Sequence, residues 1–133
     1  MKEQDVHPQL LADCHVLGGM HSGLLLLHRN AVLPWLILVP DTHETELVFV
    51  PEPQRGEILR DAETVARYLR DDRECKKVNM AALGNQVPQL HLHLVGRSEG
   101  DACWPKPVWG HLEHSAEWDK TEIDAFRQAL ISA

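Results

Sequence analysis

Two apolar blocks, Leu24–Leu27 and Trp35–Val39, lie close together in GLLLLHRNAVLPWLILVP, parted by a polar turn. Each block is short and bounded by glycine or proline, as buried strands are, and the tight link predicts an antiparallel pair. ELVFVP, residues 46 to 51, fits either a short strand or an extended loop. The period then changes. Ile58, Ala62, Val65 and Leu69 recur at i, i+4, i+7 and i+11, one face of a helix, and charged residues fill the other face. KKVNMAAL predicts a third strand, with Val78 and Met80 on one face and Asn79 and Ala81 on the other. After the turn GNQVP, QLHLHLVGR predicts a fourth. Its Leu90, Leu92 and Leu94 face the core, while Gln89, His91 and His93 share the opposite face, neighbours about 7 Å apart. SEGDACWPKPVWG reads as a loop rich in proline and tryptophan. A C-terminal helix follows, with Thr121 and Asp124 as a capping box and Ile123, Phe126 and Leu130 as its apolar stripe. Strands and helices mix without βαβ regularity. The pattern therefore predicts the α+β class, with a mainly antiparallel sheet and two helices.

Composition narrows the function classes. A chain of 133 residues and 15.1 kDa is expected to form a single domain over residues 1–133. The formal net charge of -7 argues against nucleic-acid binding by a broad basic surface. A small anion can still be held locally by backbone N–H groups. The N-terminus lacks an apolar signal core and GLLLLH is too short to span a bilayer, so no membrane association is expected. Cys14, Cys75 and Cys103 lie far apart, odd in number and without CxxC spacing. Neither a disulfide framework nor a zinc knuckle is indicated, and a reducing, cytoplasmic setting fits.

The histidine strand admits three readings. It is a solvated strand face, or a metal site, or a nucleophilic centre. His-x-His is a zinc-ligand spacing, but His111, His114 and Cys103, the further ligands on offer, have no convincing spacing, and no metal or other cofactor is expected. A neutral imidazole, with an ordinary pKa of about 6.5, is available near neutral pH and suits a two-step displacement at phosphorus. The flanks favour this third reading: Gly84, Asn85 and Gln86 form a glycine turn with amide side chains just before the strand, able to aim N–H groups at a phosphate over the histidines.

GNQVPQLHLHLVGR resembles the signature of the histidine-triad (HIT) family, in which three histidines alternate with hydrophobic residues on one strand. WLILVP resembles the family's upstream strand and CWP its Trp-Pro segment, and the resemblance runs from about Leu24 to Trp109. It implies the HIT α+β fold and a nucleotidyl hydrolase or transferase acting on nucleoside phosphoramidates or dinucleoside polyphosphates, without metal. By it, His91 attacks the α-phosphate to form a nucleotidyl-histidine, His93 bonds the phosphate or leaving-group oxygen, and Gly84, Asn85, Gln86 and Val87 occupy the phosphate loop. It also implies a homodimer, with Trp104 and Trp109 offering an apolar surface. The alternative is a nucleotide-binding module with little turnover, because two family histidines are replaced. Gln89 stands at the first signature position. Its backbone carbonyl can orient His91 and its amide can bond phosphate, but it cannot transfer protons. Trp35 stands where many members carry a further histidine and is read as a packing residue, with base stacking as the alternative. Asn79 is a candidate to face the phosphate, Asn30 to contact ribose and Trp104 to line the site. His7, His15, His21, His28, His43, His111 and His114 are expected at the surface.

Overall fold

The computed structural model describes residues 1–131. Its centre is an antiparallel five-stranded sheet of order β1-β2-β3-β5-β4, formed by β1 (Cys14–Gly19), β2 (Gly23–His28), β3 (Trp35–Pro40), β4 (Lys77–Ala81) and β5 (Leu92–Arg97). Three α-helices accompany it: α1 (Pro8–Asp13), α2 (Gln54–Asp71) and α3 (Lys120–Leu130). The class is α+β, as the pattern predicts, and the two apolar blocks do pair antiparallel, Leu24 opposite Val39 and Leu27 opposite Leu36. ELVFVP resolves into a short 3-10 turn, Leu47–Phe49.

The central strands β2, β3 and β5 are buried on both sides, and this explains why β2 and β3 read as unbroken apolar runs instead of alternating. On one side, Leu25, Leu27, Leu36, Leu38, Leu92 and Leu94 pack with Ile58, Ala62, Val65 and Leu69 of α2 and with Phe126 and Leu130 of α3. On the other, Leu26, Trp35, Ile37, Val39 and Val95 are covered by Val6, Leu10, Val87 and Val108 from irregular chain and α1. Each such aliphatic side chain contributes about 1.5–3 kcal/mol on full burial.

Three expectations need correction. The chain has a third helix, α1, and a further strand, β1; CHVLGG lacks the alternation that would announce a strand, and α1 is only six residues long. The α3 capping box is Asp119 with Glu122, not Thr121 with Asp124. Asp119 accepts from the Glu122 N–H at 2.8 Å and Glu122 accepts from the Asp119 N–H at 3.2 Å, while the Asp124 carboxylate pairs with Lys120 and Arg127. Finally, β5 begins at Leu92. Gln89–His91 approach it as irregular chain outside the ladder, with a bend at Gln89, which leaves the Gln89 carbonyl free for another partner.

One buried ion pair fixes the loop after β5. Arg97 donates from Nε and Nη2 to the two oxygens of Asp101 at 2.8 and 3.1 Å, and from Nη1 to Asn79 Oδ1 at 3.0 Å. Asp101 also accepts from the backbone N–H groups of Ser98, Cys103 and Trp104. Burial alone would raise its pKa, but these donors hold it down to about 2. The stabilisation it supplies is complete above the ordinary carboxylate range near ~3.9 and is lost as pH falls through about 2. Breaking one partner of a buried pair leaves an uncompensated charge, at about 3–5 kcal/mol. Arg97→Met is therefore expected to lower the urea midpoint by that equivalent and to unseat the loop carrying Val108 and Trp109, read as a change in tryptophan fluorescence.

Candidate active site

A cleft of about 560 Å³ opens on the second face of the sheet. Its floor is Trp35 and Ile37 of β3 with His91 and His93; Gly84–Val87 form one wall, Gln9, Leu10 and Asp13 of α1 another, and Val108–Gly110 a third. The sheet register sets His93 opposite Ile37 on one side and Ala81 on the other, so its direction is fixed by two neighbouring strands.

His91 and His93 are each only 7 % exposed, and each is held by a single hydrogen bond through Nδ1. The His91 partner is the backbone carbonyl of Gln89, at 2.7 Å. A carbonyl only accepts, so Nδ1 of His91 carries a proton, and in the neutral ring Nε2 keeps its lone pair. For His93 the polarity is reversed: the indole N–H of Trp35, which only donates, reaches His93 Nδ1 at 3.1 Å. No buried side-chain nitrogen or oxygen among the described residues lacks a partner. The Nε2 atoms of the two rings have no protein partner among the described residues, so they are the polar atoms left open to the cleft. The rings stand edge to face with centroids 4.9 Å apart. Burial, then the neighbouring His91 and His28, push the His93 pKa down to about 4.

The phosphate-loop candidates reach the cleft. Gly84 adopts φ 69°, a left-handed conformation natural to glycine, and turns Asn85 and Gln86 along the wall facing the histidines. The backbone N–H groups of these three residues donate to nothing among the described residues. Such a turn is a concave set of donors, suited to an anion.

Other candidates lie elsewhere. The Gln89 side chain turns away from the cleft: Oε1 accepts from the His7 N–H at 2.8 Å and Nε2 donates to the Asp5 carbonyl at 2.9 Å. Asn79 serves Arg97. Asn30 ties its turn to the segment before α3, donating to the His114 carbonyl and accepting from the Ala116 N–H. Trp104 lies partly exposed beside the Arg97 guanidinium, outside the cleft lining. Trp35 is buried, and stacks face to face on His28 at 4.1 Å.

Several lining residues escape a reading of the sequence. His28, expected at the surface, lines the cleft with Nδ1 accepting from the Asn30 N–H; burial lowers its pKa against the pull of Asp13. Trp109 packs edge-on against both Trp35 and His93. Gln9 and Asp13 come from a helix with no motif of its own. Among the described residues, no group of three or more His, Cys, Asp or Glu is placed to hold a metal ion.

The placement of Gln89 carries a prediction. Gln89→Ala removes two neutral hydrogen bonds, worth about 1–3 kcal/mol together, and keeps the carbonyl that orients His91. Urea denaturation is expected to show that loss, while imidazole nitrogen NMR of the folded variant still places the His91 proton on Nδ1.

The architecture matches known structures along nearly its whole length. A histidine triad protein of Bradyrhizobium japonicum superposes with a TM-score of 0.86 at 38% identity, covering 94% of this chain and 93% of that one. A histidine triad protein of Marinobacter aquaeolei gives 0.85 at 34% identity, covering 95% and 92%. One from Sinorhizobium meliloti gives 0.86 at 31% identity, covering 95% and 93%. No curated protein matches. The HIT domain model matches residues 10–100, a span that holds the turn, the histidines and all five strands; the chain belongs to the histidine-triad family.

Proposed function

We propose that this protein is a nucleotidyl hydrolase or transferase working through a covalent nucleotidyl-histidine, with His91 as nucleophile. The observation that carries the reading is the 2.7 Å bond from His91 Nδ1 to the Gln89 carbonyl. It holds the ring with an unprotonated Nε2 toward the cleft, opposite the donors of Gly84–Gln86. Family membership supports nucleotides as the ligand class. An α-phosphate seated on the turn meets the Nε2 lone pair. The N–P bond forms as the leaving group takes its bonding electrons, and His93 Nε2–H bonds a phosphate or leaving-group oxygen. Water then attacks phosphorus, the N–P electrons return to Nε2, and the water proton passes to solvent. Nucleoside phosphoramidates and dinucleoside polyphosphates are the candidate substrates. No step calls on a metal.

A second reading, a nucleotide-binding module with little turnover, draws on the side chains of Gln89 and Trp35, neither of which can relay a proton. The two readings separate on one experiment. Wild type mixed with a nucleotide substrate and quenched in acid is expected to carry a nucleoside monophosphate adduct on His91 by mass spectrometry. His91→Ala is expected to lose several powers of ten in turnover, as lost nucleophiles do, and His93→Ala about two to three. Nucleotide bound with no adduct and no turnover favours the module.

We also place the chain as one HIT domain that pairs with a second copy. β4 is a sheet edge with Met80 half exposed, and Val48 and Phe49 are about 70% exposed, more apolar surface than a lone small domain needs. Light scattering at micromolar concentration is expected to give the dimer mass. The three free thiols, with Cys14 pushed up to about 12 by burial, suit a reducing, cytoplasmic setting.

A further inference from the structure

We propose that Trp35 is a positioning residue that holds His93 as a neutral Nε2–H donor, and that the site therefore releases oxygen leaving groups stable as anions, such as phosphate and polyphosphate, in preference to amines. The inference rests on the nucleotidyl-transfer reading and names its substrate class.

The geometry is specific. Trp35 Nε1 lies 3.1 Å from His93 Nδ1. An indole N–H has no acceptor capacity, so Nδ1 must stay unprotonated for the bond to exist. Protonating His93 would set two N–H groups against each other in a buried place. The indole cannot swing aside easily, because His28 stacks on one face at 4.1 Å and Trp109 meets it edge-on at 5.9 Å. The groups facing His93 give an imidazolium no support: His91 beside it on the same segment, Trp35 from β3, Trp109 from the loop and His28 from β2 beyond the indole. Asp13, the one carboxylate lining the cleft among the described residues, belongs to the α1 wall and acts on His28. The low pKa of about 4 agrees with this arrangement.

The chemistry follows from which group must carry the departing electrons. When His91 Nε2 bonds to phosphorus and a P–O bond breaks, the electron pair stays on a phosphate oxygen that is already acidic and needs no proton at that moment. When a P–N bond to an alkylamine breaks, nitrogen needs a proton as it leaves. His93 can offer a hydrogen bond from Nε2–H, but giving that proton away would leave imidazolate, since no proton waits on Nδ1 to replace it. Gln89, turned toward residues 5 and 7, supplies none either.

Two measurements on the intact protein decide the matter. Nitrogen NMR of labelled imidazoles is expected to find His93 protonated on Nε2 alone from pH 5 to 8; a titration near pH 6.5, or the proton on Nδ1, overturns the lock. Trp35→Phe keeps an aromatic wall on His28 but removes the donor, and is expected to leave His93 a mixture of tautomers. Initial rates on diadenosine tetraphosphate and on the adenosine 5′-phosphoramidate of a primary alkylamine test the consequence. We expect kcat/KM at least a hundredfold higher for the anhydride, with that ratio falling about tenfold in Trp35→Phe. Equal rates in wild type overturn the leaving-group preference, and an unchanged ratio in Trp35→Phe overturns the role of Trp35. If neither compound reacts nor leaves an adduct on His91, the transferase reading falls and the leaving-group preference falls with it, while the NMR result still decides the lock.

Discussion

A neutral imidazole has one proton for two nitrogens, and the partner at one nitrogen dictates what the other can do. This constraint organises the cleft. His91 meets a carbonyl and His93 meets an indole N–H, so two identical side chains, centroids 4.9 Å apart, present opposite faces to a ligand: a lone pair and a proton. Because neither Nδ1 partner can reverse its role, the assignment holds without any ionised neighbour. An acidic residue at either place would instead pull a second proton onto the ring and abolish the distinction.

The rest of the fold serves to bring those two partners into place. The carbonyl is available because Gln89 precedes the ladder of β5 and is not spent on strand pairing. The indole arrives because the β3–β5 register sets Trp35 two residues along from the partner of His93, on the same face. The burial of the two rings comes from the second covering layer, assembled from α1, Val87 and the loop anchored by Asp101. A solvated strand face would leave both Nδ1 atoms free to trade partners with water.

Local patterns made much of this visible. The period-two alternation about His91 and His93, the i, i+4 stripe of α2 and the glycine turn are properties of neighbouring residues, and they announced the strand, the helix and the turn that lines the cleft. Sequence separation hid the remainder. Gln89 bonds to His7 across 82 positions and Trp35 to His93 across 58, and no periodicity links such pairs. His28 ends an apolar run and looks like its solvated edge until the indole covers it. Asn79 and Asn30 have the chemistry for a ligand, yet the Asn79 amide oxygen accepts from Arg97 and the Asn30 amide ties its turn to the segment before α3. The short helix α1 had no stripe to announce it, and so its contribution to the cleft wall had no local signal.

The clamp made by the Gln89 amide joins two stretches that otherwise lie far apart in the chain. One carries His91 and His93 and the other leads into α1, whose Gln9, Leu10 and Asp13 bound the cleft. Val6 and Leu10 in the core, with these two amide bonds, hold that wall in place. The side chain at residue 89 thus braces a wall of the cleft in place of supplying a third imidazole to it.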